Sequence, residues 1–77
     1  MTKKEAMEKR YLTLDDLRQL DFDMLTPAIV AKYLRCDKYA INVQARQDKS
    51  RLGFNVIQIG SRVLIPREGF IKFAEGY

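Results

Sequence analysis

Histidine and tryptophan are absent from this sequence of 77 residues, and cysteine occurs only once. A single cysteine cannot form a disulfide within the chain, and without histidine a Cys/His zinc site within the chain is excluded too. The commonest general base of enzymes is also missing. The acidic residues show no paired arrangement, and there is no glycine-rich loop of the kind that binds phosphates. We therefore expect a protein that is not an enzyme and that needs neither a cofactor nor a metal.

Long apolar segments are missing as well. No apolar run approaches the ~18 residues of a membrane-spanning helix, and the lysine-rich start lacks the apolar stretch of a signal peptide. We expect a cytoplasmic protein with no membrane partner. The length suits one domain, near the lower limit at which a single hydrophobic core is sufficient. The lone cysteine, Cys36, is expected to be a small buried hydrophobic side chain.

Positive charge is concentrated in the second half of the chain. Residues 1–37 hold seven basic and seven acidic side chains, which cancel, whereas residues 38–77 hold seven basic and three acidic ones. The whole net charge of +4 therefore comes from the second half. Between Lys38 and Arg62 there are five basic side chains against Asp48 alone. A concentration of positive charge is typical of a surface that binds nucleic acid.

The start of the chain is charged, and we predict a flexible N-terminal segment over residues 1–12 and one domain over residues 13–77. Thr13 followed by Asp16 resembles a capping box, with aspartate in place of the usual Glu or Gln. A short helix with one apolar stripe follows, and the stripe consists of Leu14, Leu17 and Leu20.

Residues 26–49 predict two helices joined by a short break. Thr26 is a suitable N-cap, and Pro27 suits the first helical position, where no donor is needed. The first helix then has an apolar stripe at helical spacing, which consists of Val30, Ala31 and Leu34. Arg35 and Cys36 interrupt the pattern, and Asp37 is a second N-cap. Two helices joined by a three-residue break form a helix-turn-helix arrangement.

The second helix, predicted over about residues 38–47, has side chains on its outer face that can contact bases. At ~100° per residue the half facing away from Ile41 carries four such side chains: Tyr39, Asn42, Val43 and Arg46. They offer an aromatic hydroxyl, an amide, a guanidinium and an apolar contact for a thymine methyl, which are groups that contact base edges in a major groove. The alternative is an ordinary solvated helix face.

The segment FNVIQIGSRVLIP, residues 54–66, gives the clearest β pattern in the chain. We predict a β-hairpin with a three-residue loop, because that loop places four apolar side chains on one face: Ile57, Ile59, Val63 and Ile65. Gln58 and Leu64 then point the other way. A two-residue Gly60-Ser61 turn would instead set Ile59 opposite Arg62. Pro66 ends the second strand, and a closing helix with inward Phe70, Phe73 and Ala74 follows.

Together these elements predict a mainly α fold with a β-hairpin wing, a winged helix-turn-helix. Residues 25–48, LTPAIVAKYLRCDKYAINVQARQD, and residues 53–73, GFNVIQIGSRVLIPREGFIKF, resemble the small excisionase-type, MerR-like DNA-binding proteins of phages and mobile elements. The hairpin run is the most specific part of the resemblance. The pattern of the helix pair also matches, at Ala31, Leu34 and Ile41.

The resemblance implies that the second helix enters a major groove of DNA and that the hairpin tip reaches an adjacent groove or the backbone. By position it implicates Lys38, Asn42, Val43 and Arg46 on the helix, with Ser61 and Arg62 at the tip. Tyr39 on the helix face, Lys49 and Arg51 in the basic turn, and Gln58 on the wing complete the predicted DNA-binding set. The second helix has few basic residues, so we expect several copies to bind side by side.

Three functions remain open from the sequence. The favoured one is an architectural factor of excisionase type, which binds double-stranded DNA near a recombination site and helps an integrase or recombinase to excise. The second is a small transcriptional regulator that uses the same surface on an operator. The third is a protein-interaction adaptor, for which Tyr39, Val43 and Leu64 would form an exposed apolar patch.

Overall fold

The computed structural model describes residues 1–76, with the exception of the Lys49 side chain. The helices and strands of this part of the chain are α1 Lys3–Glu8, α2 Leu14–Arg18, β1 Met24–Leu25, α3 Pro27–Leu34, α4 Lys38–Asp48, β2 Ile57–Ile59, β3 Arg62–Pro66 and α5 Arg67–Ala74. A 3₁₀ turn, Lys49–Leu52, follows α4 directly. The predicted mainly helical fold with a β-hairpin is therefore present. No helix within residues 1–76 is long and apolar enough to cross a membrane.

A small antiparallel sheet closes the domain, with its three strands in the order β1-β3-β2. β3 is central because it pairs with β2 in the hairpin and with β1 on its other side, where Leu25 lies opposite Ile65. Both of these side chains are fully buried. The short strand β1 thus anchors the hairpin to the helical core.

The hairpin register differs from the prediction. Ile59 pairs with Arg62 and Ile57 with Leu64, so the turn consists of Gly60 and Ser61 alone. Gly60 has a φ of 59° and Ser61 has no positive φ, a pattern that fits a type II′ turn, whose twist matches the flanking strands. The predicted three-residue loop is therefore wrong.

The shorter turn reverses the faces of the sheet to which the side chains of β2 point. Residues directly opposite each other share a face, so Ile57 and Ile59 lie on the outer face, with exposed fractions of 41% and 60%. Leu64 is on that face too, as predicted, and it is half-buried. Gln58 shares a face with Val63 rather than with Leu64. Val56, the residue that precedes β2, packs into the core instead.

Both helices of the pair have the N-caps that the sequence predicts. The Thr26 hydroxyl accepts from the Ile29 backbone N–H at 3.4 Å, and Pro27 occupies the first turn of α3. The Asp37 carboxylate accepts from the Tyr39 backbone N–H at 2.9 Å and caps α4. Between the two helices Arg35 has a left-handed conformation, with a φ of 59°.

Two expectations for this region are wrong. Leu34 was expected in the buried stripe of α3 but is 37% exposed, and Ile29 is buried instead. α3 ends immediately after Leu34, so this side chain extends beyond the part of the core that covers Val30 and Ala31. Cys36 is an exposed free thiol and not a small core side chain, because the break between α3 and α4 lies at the surface.

The N-terminal segment also differs from the prediction, which placed no helix in residues 1–12. α1 begins with a capping box, in which the Thr2 hydroxyl accepts from the Glu5 backbone N–H and the Glu5 carboxylate accepts from the Thr2 backbone N–H. Ala6 of α1 is fully buried, and Leu12 is 2% exposed. The Leu12 backbone N–H also donates to the Lys32 carbonyl at 3.3 Å, which joins the segment to α3.

The core is built where α2, α3, β3 and α5 meet. The core contains an edge-to-face aromatic cluster. The centre of the Phe70 ring lies 4.9 Å from the centre of the Phe54 ring and 5.6 Å from that of the Tyr33 ring. Such pairs add to the free energy gained by burying the rings. Gly53 has a φ of 79°, and a Cβ at this position would lie 3.0 Å from the Phe73 ring. Phe73 belongs to the same cluster, with its ring centre 5.2 Å from that of Phe54, so the backbone between α4 and the hairpin passes close to these rings.

Candidate functional site

One face of α4 packs against the core, and the other carries several exposed side chains. Ile41 and Ala45, one turn apart, are 4% and 3% exposed and hold the helix against the core. The helical period then directs Tyr39 and Val43 outward, with exposed fractions of 70% and 47%. Arg46 is exposed as well. The inner face of α4 is as predicted, and so is the exposure of Tyr39, Val43 and Arg46, whereas Asn42 is half-buried.

The outer face of α4 and the hairpin turn enclose an open groove of about 510 Å³, here called the α4 groove. Its lining residues are Lys38, Tyr39, Asn42, Val43, Arg46 and Ser61. Arg46 joins the two elements, because its guanidinium Nη2 donates to the Ser61 carbonyl at 3.0 Å. The structure thus brings six of the predicted site residues together on one surface.

The remaining predicted site residues lie around this groove without lining it. Arg62 is exposed at the end of β3 beside the turn, and Gln58 is exposed on the neighbouring strand. Arg51 is 75% exposed, and its Nε lies 3.5 Å from a carboxylate oxygen of Asp48. The Lys49 side chain lies outside the part of the chain that the structure describes.

The polar groups of the α4 groove remain available to a ligand. A guanidinium has five N–H donors, so the bond from Arg46 to Ser61 leaves others available. Lys38 and Arg46 form no ion pair with any residue among 1–76 as described. The groove is therefore positively charged and offers donors, an amide that both donates and accepts, and an apolar contact at Val43. Among the same residues, no cluster of three or more acidic or cysteine side chains could hold a metal ion.

A second group of cations was missed by the sequence analysis. Arg10, Lys32 and Arg35 come together with Lys38 at another groove, beside the start of α4. Each of the first three belongs to the half of the chain in which the charges cancel, so a count along the sequence gave no indication of them. The outward Ile57 and Ile59 were also missed, although a glycine at the first position of a two-residue loop is a known signal for the type II′ turn that places them there.

No protein-family model matches this chain, and neither a curated protein nor a solved structure matches it. The surface described above is therefore what supports a functional proposal.

Proposed function

We propose that this chain is a winged helix-turn-helix DNA-binding protein of excisionase type, with α4 as the recognition helix and the β2–β3 hairpin as the wing. The main support is the α4 groove, which the exposed Lys38 and Arg46 and the half-buried Asn42 line beside the hairpin turn. An α-helix about 10–12 Å across fits the major groove of B-DNA, which is about 12 Å wide. The positive charge around α4 favours a polyanion as the partner.

The side chains of α4 divide into two roles in this proposal. Asn42 and Arg46 are suited to bidentate contacts with adenine and guanine, and Val43 to the methyl group of thymine. Lys38, Arg51 and Arg62 supply positive charge to the phosphates. The hydrogen bond from Arg46 to Ser61 keeps the wing turn beside the recognition helix. The wing then meets the groove or backbone next to the one that α4 enters.

The excisionase role rests on the resemblance of the helix pair and the hairpin to that class. The protein would bind and bend DNA beside a recombination site, with several copies side by side, and assist an integrase or recombinase without catalysing a step itself. A transcriptional regulator would use the same surface on an operator. These two roles differ in the position of the binding sites.

Selection of bound genomic fragments tests the proposal. The protein is incubated with sheared DNA from its source organism, and the retained fragments are sequenced. We expect enriched fragments next to an attachment site or integrase gene for the excisionase role, and next to promoters for the regulator. The matched control is the Asn42→Ala/Arg46→Ala protein, which should give no enrichment. If the unchanged protein enriches nothing and binds no duplex at low salt, the DNA-binding proposal is wrong.

A second candidate, a protein-interaction adaptor, is favoured by one observation. The outer face of the hairpin presents Ile57 and Ile59 to solvent, with half-buried Leu64 opposite Ile57. Apolar side chains grouped on an edge strand are suited to contact with another protein. This function predicts little salt-sensitive affinity for DNA and loss of the partner when the face is charged.

A further inference from the structure

A second groove of about 470 Å³, here called the turn groove, lies where the end of the N-terminal segment meets α3 and the break before α4. We propose that the turn groove binds phosphates of the DNA backbone that flanks the major groove entered by α4. This inference rests on the proposed function and extends the contact surface to residues outside the helix pair and wing. Six of its lining residues carry a charge or an aromatic ring: Arg10, Tyr11, Lys32, Arg35, Asp37 and Lys38.

The turn groove has an excess of positive charge. Arg10, Arg35 and Lys38 are exposed and form no ion pair with the described residues, whereas Arg18 and Arg67 elsewhere on the molecule are paired with carboxylates. Lys32 is half-buried and donates to the Lys9 carbonyl. Cations with no carboxylate to neutralise them attract an external anion.

Of the acidic side chains within residues 1–76, only Asp37 lines the turn groove. One of its carboxylate oxygens, Oδ1, accepts from the Tyr39 backbone N–H at 2.9 Å as the cap of α4. It is therefore held at the helix start. The cationic side chains that line the groove outnumber this one carboxylate, so the groove remains positively charged.

Tyr11 positions the two arginines of the groove. The Arg35 guanidinium carbon lies 4.7 Å from the centre of the Tyr11 ring, and that of Arg10 lies 5.3 Å from the same centre. Guanidinium groups stack on aromatic faces while their N–H groups remain available to an oxygen anion. Both guanidinium groups thus lie beside the same ring before any ligand arrives. A phosphate accepts from such groups in a bidentate geometry.

The position of Lys38 favours DNA over other anions. Lys38 lines both the turn groove and the α4 groove, so the two cationic surfaces meet at the first residue of α4. A helix within the major groove has a sugar-phosphate backbone on each side, so a strand that passes the start of α4 would continue along the turn groove. An acidic segment of another protein is the competing occupant. Such a segment could bind in the turn groove without extending into the α4 groove.

The test compares two proteins with the same loss of charge. Arg10→Gln/Arg35→Gln removes the two stacked cations, and glutamine keeps a flexible stem at each position. Lys4→Gln/Lys72→Gln is the control, because both lysines are exposed and line neither groove. Binding to a labelled random-sequence duplex is measured by fluorescence anisotropy at a series of salt concentrations. Melting temperatures are measured alongside to confirm that both proteins fold.

We expect the log–log salt dependence of the Arg10→Gln/Arg35→Gln protein to be less steep by about 1.8, because each lost phosphate contact contributes about 0.9. The advantage of the unchanged protein should then shrink about tenfold between about 50 mM and about 200 mM salt. The control should keep the original slope. If the double variant does not fold, Arg10→Gln alone should reduce the slope by about 0.9.

An unchanged slope in a folded arginine variant overturns the turn-groove proposal. The DNA-binding function would still stand in that case if the Asn42→Ala/Arg46→Ala protein lost affinity for its selected sites. Polyglutamate is used as an acidic-chain probe. If it binds the unchanged protein but not the arginine variant, while the duplex slope is unchanged, the groove belongs to an acidic protein segment instead. If the unchanged protein shows no salt-dependent duplex binding, both proposals are wrong.

Discussion

At the scale of single residues, the proposed function gives Arg46 a recognition role in addition to its contact with the hairpin turn. It donates to the Ser61 carbonyl and also lines the α4 groove beside Asn42. Because the Ser61 turn is exposed, water can satisfy that carbonyl when the arginine is removed. A change at Arg46 should therefore affect DNA recognition more than the stability of the fold.

The first prediction separates base contacts from phosphate contacts. Asn42→Ala and Arg46→Ala should each cost about 1–3 kcal/mol on a selected site and much less on random DNA, because a bidentate base contact is lost. Arg51→Ala is the control: its side chain is exposed outside the α4 groove, so its loss should weaken binding to all sequences alike. Competition binding with selected and random duplexes measures the difference. Full discrimination in both helix variants would mean that α4 is not the recognition helix.

The second prediction concerns the pH dependence of stability. The pKa of Asp16 is lowered, first because its carboxylate accepts from the Thr13 backbone N–H and then because it accepts from the Lys9 ammonium at 3.0 Å. A carboxyl group with a lower pKa in the folded state stabilises the fold above its unfolded pKa, and this contribution disappears as the pH falls through the folded value. Asp16→Asn should therefore lower the melting temperature at neutral pH, and the difference should vanish in acid, below the ordinary pKa of 3.8.

Glu8→Gln is the matched control for this experiment, since Glu8 forms no hydrogen bond to a side chain and no ion pair among the described residues. Its melting temperature should follow that of the unchanged protein at every pH. A difference between Asp16→Asn and the unchanged protein that persisted at low pH would show that the change acts through packing and not through the charge of the capping box.

At the scale of elements, features set by neighbouring residues could be predicted from the sequence, whereas a feature set by tertiary packing was not. The caps at Thr13, Thr26 and Asp37 were predictable because each depends on a few neighbouring residues. The hairpin register was not predicted, because the placement of four apolar side chains on one face was given more weight than the turn chemistry of Gly60 and Ser61. In the structure Val56 occupies the inner position that the prediction gave to Ile57.

The third prediction tests which face of β3 points into the core, with two neighbouring residues of this strand. Val63 is 5% exposed and points into the core, whereas Leu64 is half-buried on the outer face. Val63→Arg should destabilise the fold by several kcal/mol, because it buries a charge without a partner. Leu64→Arg should cost about 1 kcal/mol or less, since the long side chain can reach solvent. Thermal or urea unfolding of the two proteins measures the difference, and equal losses would contradict this assignment of the two faces of β3.

The same Leu64→Arg protein also separates the two candidate functions of the hairpin. If the outer face lies along DNA, the added cation should steepen the salt slope by up to about 0.9. If the face is a protein-docking surface, the charge should abolish partner binding and leave the salt slope as it was.

At the scale of the whole molecule, folding brings together charged side chains that lie far apart in the sequence. Half of the chain has no net charge, yet its Arg10 and Arg35 lie beside Lys38 at the turn groove. Acidic residues from the same half are used in other contacts, as Asp16 is with Lys9 and Asp23 with Arg67. Most of the α4 groove could be predicted, because helical spacing alone sets it. The turn groove could not, because it depends on how α1 and the segment after it pack against α3.

The salt dependence of duplex binding tests the central claim most directly. Three to five phosphate contacts from α4, the basic turn and the wing imply a log–log slope of roughly −3 to −5, and the turn groove would make it steeper by about 1.8. Non-specific affinity should be near ~10⁻⁵ M at physiological salt. The measurement is a titration of a labelled random-sequence duplex over a series of salt concentrations. A slope of about −3 or steeper is the predicted result, and a flat response, or no binding to any duplex at low salt, would contradict DNA binding.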